Sequence, residues 1–357
     1  MSPRPLPALL ALPALLMGVL SGIARLGVDT PATAAALAGH HSALMIACFF
    51  GTVISLERAV ALNLAWAYLA PVAAALSGLA LIFGAPLVLA QALQILAASV
   101  LLVGGLRLWR RQPAQFLATL ALGSAAWLLG NLVWLLNGSL LPALPFWLGF
   151  LILTIAGERL ELTRIRPLPA FAKRVFPFIA GAIPAGALLA LAAPAAGLAL
   201  FAAALLALAL WLMRYDIARH TVKQQGLTRY IAVCLLAGYG WLALAGLLGL
   251  GGALLPGHPW RDAALHGLTI GFVFSMVFGH APVMLPAIAK LRVRWSPLFY
   301  LPLALLHGAL MLRVAGVLGA APLPWQAGGV AGAIALLVFI LTLAQAVLRG
   351  RTRAVPL

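Results

Sequence analysis

Charge is almost absent from long stretches of this chain, and that feature limits what it can fold into. Only 8% of the 357 residues are charged, 64% are hydrophobic, and the acids number six. A soluble domain needs roughly 25% charged residues to wet its surface. No water-facing fold of this length hides so much apolar surface, so a bilayer must act as solvent. Leu, Ala and Gly dominate the apolar runs, without period-2 alternation, which points to helices rather than a barrel.

A spanning helix needs about 20 mostly apolar residues. With charges, Gly/Pro pairs and polar clusters taken as breaks, twelve spans are predicted: 6–27, 39–60, 64–84, 86–107, 115–137, 140–158, 174–195, 197–214, 229–251, 263–286, 296–317 and 326–348. The softest boundaries are Gly84-Ala-Pro86 and Pro194-Ala-Ala-Gly197. The apolar run Leu6–Leu26 is longer than a signal-peptide core and reads as a retained first helix. The expected fold is all-α, a single polytopic domain over 1–357 with both termini cytoplasmic.

Lys and Arg collect at the cytoplasmic ends of spans. With the N-terminus inside, all of the 23 cations except Arg25, Arg261 and Arg313 fall on the inner side, among them Arg4, Arg58, Arg166, Arg351 and Arg353. The net charge of +17 is therefore topological and does not mark a nucleic-acid surface. The expected location is the inner (cytoplasmic) membrane. Cys48 and Cys234 lie within apolar runs, which argues against a disulfide framework.

Ionisable groups at helix depth are expensive and mark function by default. The acids are Asp29, Glu57, Glu158, Glu161, Asp216 and Asp262, mostly at predicted interfaces; Glu57-Arg58 and Glu158-Arg159 end the second and sixth spans. An interfacial ion pair and the lining of a cytoplasmic proton or substrate path are the two readings. On an α-helix Glu57 falls opposite His41, which argues against one continuous polar track.

His40 and His41 open the second span at its outer side, and His266 opens the tenth at similar depth. Imidazole is the commonest metal ligand, and two imidazoles hold a haem iron from both sides. His41, Met45, Cys48, Thr52 and Ser55 follow helical spacing along one stripe. Gly267, Gly271 and Gly279 admit a flat macrocycle or a neighbouring helix. Arg25, Arg261 and Arg313 are candidate partners for haem propionates or headgroup anchors. Met276, His280 and Met284 share a face that suits copper(I), with His307 as a further candidate; the alternative is a Met-filled core with His280 on a carbonyl freed by Pro282 or Pro286. His266 and His280, about 21 Å apart on one face of an α-helix, cannot share a metal.

Twelve helices, with histidines opening the second and tenth, resemble the catalytic subunit of haem-copper oxidases. His266-Gly-Leu-Thr-Ile-Gly271 looks like the His-x-Leu-Thr-x-Gly segment of NnrS-type proteins, oxidase-like membrane proteins carrying haem and copper and associated with nitric oxide stress. The resemblance implies an oxidase-like bundle and a haem b with His266 and His41 (or His40) as axial ligands. It also implies Arg313 near the propionates, nitric oxide or an electron donor as partner, and copper as a second cofactor. The chain departs from the oxidases in its sixth span, Leu140–Glu158, which has no histidine. The seventh span has no His-His pair, and Ala264 stands two positions before His266. Redox or nitric oxide chemistry is therefore expected rather than oxygen reduction. The competing expectations are a twelve-helix transporter of a small solute, with Asn131 and Tyr239 as mid-membrane contacts, and an assembly protein without cofactor.

Overall fold

Every predicted span folds as a helix. The computed structural model describes residues 5–164 and 167–351, and these form helices and turns without a strand. The predicted inner cations Arg4, Arg166 and Arg353 lie outside the described residues. The helices are α1 (Pro5–Ala24), α2 (Ala43–Leu62), α3 (Ala65–Ile82), α4 (Leu87–Arg111), α5 (Gln115–Asn137), α6 (Leu144–Glu161), α7 (Ala170–Ala192), α8 (Pro194–Tyr215), α9 (Gly226–Leu250), α10 (Arg261–Pro286), α11 (Pro297–Leu318) and α12 (Pro322–Arg351). Ten of these are long and apolar enough to cross a membrane, as a polytopic bundle requires. Of the other two, α1 runs 20 residues from Pro5 to Ala24 without a charged residue, and α6 carries Glu158, Arg159 and Glu161 in its last turn. The two tight turns form as expected. Gly84 takes a positive φ of 69° before Pro86 caps α4, and Pro194 opens α8 two residues after α7 ends.

The chain divides into two compact units: Met1–Arg164 with Ala180–Gly197, and Ile165–Ile179 with Leu198–Leu357. In the first, aromatic side chains lock α5 to α6. Trp127 and Phe150 stack with centroids 4.8 Å apart, and Trp147 meets Trp134 edge-on at 5.5 Å. Gly130 makes room for that contact: a Cβ there would fall 2.6 Å from the Trp147 ring. Buried amides join α4, α5 and α6. Asn131 donates to the Gln94 carbonyl (3.0 Å), accepts from Trp147 Nε1 (2.9 Å), and Gln91 donates to the Trp134 carbonyl (3.1 Å). Such bonds tie helices together where lipid supplies no hydrophobic drive between them. In the second unit, Gly316 and Gly328 let α11 and α12 approach closely, and Phe278 of α10 stacks on Phe339 of α12 at 3.9 Å.

Helices α2 and α10 each contain a π-helical stretch of eight residues, Ala43–Phe50 and Gly267–Phe274. A π-helix turns through about 80° per residue against about 100° for an α-helix. Each stretch therefore sets the following residues back by roughly 100–150°. This overturns two expectations from α-helical counting. Glu57 comes round to about the side of α2 that carries His41, and His266 and His280 fall on roughly opposite sides of α10.

Candidate functional site

Each π stretch begins beside one of the histidines expected on the outer side, His41 and His266. In the first unit, the short helix Ala32–Ala36 and a 3-10 turn over Ala38–His40 deliver His41 to the start of α2. Its Nδ1 lies 2.7 Å from the Gly18 carbonyl of α1. The sequence Gly18-Val-Leu-Ser-Gly22 makes the groove that allows this. A Cβ on Gly22 would sit 2.7 Å from the His41 ring, and one on Gly18 2.6 Å from Met45 Sδ. With the carbonyl as acceptor, Nδ1 carries the proton and Nε2 the lone pair, the tautomer a metal-binding imidazole uses.

The structure separates His40 from His41, which sequence spacing left open. His40 Nδ1 is buried without a hydrogen-bond partner, and burial holds its imidazole below the ordinary value of 6.5. The folded chain thus favours neutral His40, and as pH falls below 6.5 the unfolded chain takes up that proton first. Stability present above the ordinary histidine range is lost on acidification. The thermal midpoint should fall with pH through this window, and less steeply in His40→Gln; equal slopes in both proteins would remove His40 from the account.

The expected polar stripe along α2 turns back on the helix itself. Thr52 Oγ1 donates to the Cys48 carbonyl (2.6 Å), and Ser55 Oγ to those of Gly51 (2.5 Å) and Thr52 (3.2 Å). These hydroxyls serve carbonyls where π gives way to α geometry, where the hydrogen-bond ladder changes partners.

In the second unit, His266 Nδ1 lies 2.9 Å from the Asp262 carbonyl and 3.2 Å from Asp262 Oδ2. Asp262 in turn holds Arg313 in a bidentate pair, Nε to Oδ1 at 2.8 Å and Nη2 to Oδ2 at 2.7 Å, and accepts from Trp325 Nε1 at 3.1 Å. Three helices, α10, α11 and α12, thus converge on one carboxylate that orients a histidine. A carboxylate behind an imidazole is the support metal-ligating histidines ordinarily have. Asp262 and Trp325 were not singled out from the sequence. The available signal was that the cations predicted on the outer side, Arg25, Arg261 and Arg313, share it with just two acids, Asp29 and Asp262.

The structure gives the other candidates partners within the protein. Arg313 faces Asp262, Arg25 Nη1 donates to the Ala38 carbonyl (3.3 Å), and Arg261 Nε donates to the Leu254 carbonyl (3.3 Å). The glycine face of α10 is filled by protein: Trp241 of α9 packs over Gly267 and Gly271, and Cys234 over Gly279. His307 is engaged at both nitrogens, by Trp241 Nε1 (3.0 Å to Nδ1) and Ser275 Oγ (3.4 Å to Nε2). His280 Nδ1 bonds the Met276 carbonyl (2.7 Å), not one freed by Pro282 or Pro286. Met276 is buried against Gly238 and Met284 is half-buried. Among the described residues no group of three His, Cys, Asp or Glu is placed to hold a metal ion. Asn131 is bonded within the helix contacts, and Tyr239 is buried beside Phe272 with centroids 6.4 Å apart.

The two Glu-Arg dipeptides, 100 residues apart, meet. Arg58 Nη2 donates to Glu57 Oε1 at 3.1 Å and to Glu158 Oε1 at 2.5 Å. This end of the first unit also carries the cations that close α4, Arg110 and Arg111.

No curated protein and no solved structure matches this chain. A family model does, over residues 4–348, and the chain belongs to that family, DUF8744, described as a domain of unknown function.

Proposed function

We propose that this protein is a haem-binding membrane protein of redox or nitric oxide chemistry, with His41 and His266 presenting the imidazole ligands. One observation carries the reading. Both rings bond a backbone carbonyl through Nδ1, which leaves the lone pair on Nε2, and each stands where its helix turns π-helical. π-Helical turns are rare and concentrate at functional sites. A haem iron held there supplies one-electron chemistry, and a labile ligand position binds a diatomic gas. His41, rather than His40, is the ligand in the first unit, because its tautomer is set by Gly18. Arg313 positions Asp262 behind His266 through its Nε and Nη2. Copper at His280 or His307 is the weaker part of the reading, since His307 would have to give up Trp241 and Ser275.

The test is a reduced-minus-oxidised spectrum of the full chain purified in detergent from haem-replete cells, with the haem type read from its pyridine adduct. A b-type α-band is expected. His41→Ala and His266→Ala should each shift or abolish it, and His40→Ala should leave it in place. A colourless, iron-free preparation would end the proposal and return the chain to the cofactor-free transporter reading.

A further inference from the structure

The meeting of Glu57, Arg58 and Glu158 is unexplained by the histidines and lies at the opposite end of α2. Both carboxylates accept from the same Arg58 nitrogen, which holds their oxygens within about 6 Å of each other, the range over which like charges couple strongly. Among the described residues, α6 adds Arg159 and Glu161, and α4 contributes the exposed Arg107, Arg110 and Arg111. Helices α1, α3 and α5 contribute no charged group. The four partly buried groups Glu57, Arg58, Glu158 and Glu161, with the buried Arg159, sum to one negative charge when all are ionised. Removing net charge from low dielectric is favourable, and a single proton does so.

The surroundings supply a route for that proton. A cavity of about 30 Å³ adjoins the cluster, walled by Arg58, Ser124 and Thr154 among leucines. That is room for about two ordered waters, which need polar partners of this kind. Arg58 Nε is buried without a partner, a donor facing no acceptor in the protein. The Ser124 and Thr154 hydroxyls donate to the Leu120 and Phe150 carbonyls, and their oxygens remain able to accept.

We propose that Glu57 and Glu158 form a proton-exchanging pair, sharing one proton across Arg58 and trading it with cavity water. An O–H bond forms on one carboxylate as a hydronium ion reaching the cavity breaks one of its own O–H bonds and becomes water, and the reverse step returns the proton; no electron moves. The pair gives the inner end of the first unit a proton-binding site whether or not the chain binds haem.

Infrared difference spectra of the reconstituted full chain, stepped between mildly acidic and mildly alkaline buffer, test this directly. One carboxylic C=O band that moves in D₂O is expected. It should vanish in Glu57→Gln and in Glu158→Gln and persist in Glu161→Gln, with folding checked by gel filtration. Glu57→Gln, whose bond to Arg58 is the longer, serves as the readout if Glu158→Gln does not fold. Absence of a pH-dependent band, its survival in Glu57→Gln, or its loss in Glu158→Gln alone would overturn the shared proton.

Discussion

Arg313→Met lowers the stability of the second unit by about 3–5 kcal/mol, read as a fall in the thermal unfolding midpoint in detergent. The Arg313 side chain is 8% exposed and that of Asp262 26%, so the substitution strands a largely desolvated carboxylate with only Trp325 and His266 beside it. The loss is mostly the penalty of that unpaired charge and not the net worth of the pair. Two further variants separate the effects. Arg313→Lys restores charge but not the fork that meets both Asp262 oxygens, so it should recover only part of the loss. Asp262→Leu combined with Arg313→Met removes charge and counter-charge together and should be markedly more stable than Arg313→Met alone. Equal stability of the single and double variants would mean that the pair is not what holds α10, α11 and α12 together. The double variant also removes the carboxylate behind His266, so any haem spectrum should broaden or shift even where stability returns.

Much of the architecture was legible because hydropathy responds to one dominant cost, that of exposing backbone and charge to lipid. All twelve predicted segments are helical, and short turns at Gly84-Ala-Pro86 and Pro194 follow from residues with restricted or permissive backbones. Segment α6 stands apart by its charge, and the same composition that blurs it, its Glu158-Arg159-Leu-Glu161 end, is what builds the Arg58 cluster.

Pairings were less legible. Asp262 and Arg313 lie 51 residues apart on different helices, and the sequence places them on one side without saying that they touch. Of the two partners the glycines of α10 admit, a macrocycle or a neighbouring helix, the contact formed is with the helix, through Trp241. The π stretches left no mark. Ala-Leu-Met-Ile-Ala-Cys-Phe-Phe over 43–50 suits an α-helix equally well, because a wider turn changes hydrogen-bond partners and not side-chain chemistry. Every face assignment beyond Phe50 and Phe274 therefore inherited an error of about one residue's rotation.

That rotation sets up the second large effect, in which two single-residue deletions in one helix have opposite outcomes. An eight-residue π stretch takes up about one residue more than α geometry needs for the same turn. Deleting Ala47, buried within it, lets the stretch close as α-helix while Gly51–Leu62 keeps its orientation. The variant should fold with Arg58 still bridging Glu57 and Glu158. Only the immediate setting of His41 and Met45 against Gly18 and Gly22 changes, and with it any haem spectrum. Deleting Val53 instead, in the α-helical half, turns Glu57 and Arg58 by about 100° away from α6. Glu158 is then left without the cation that holds it, at a cost of about 3–5 kcal/mol, and the carboxylic infrared band should disappear with the pair. Monodispersity and thermal midpoint of the two deletions decide the matter. If the Ala47 deletion unfolds as readily as the Val53 deletion, the π stretch is not a spare residue between two fixed ends, and Glu57 does not owe its side of α2 to it.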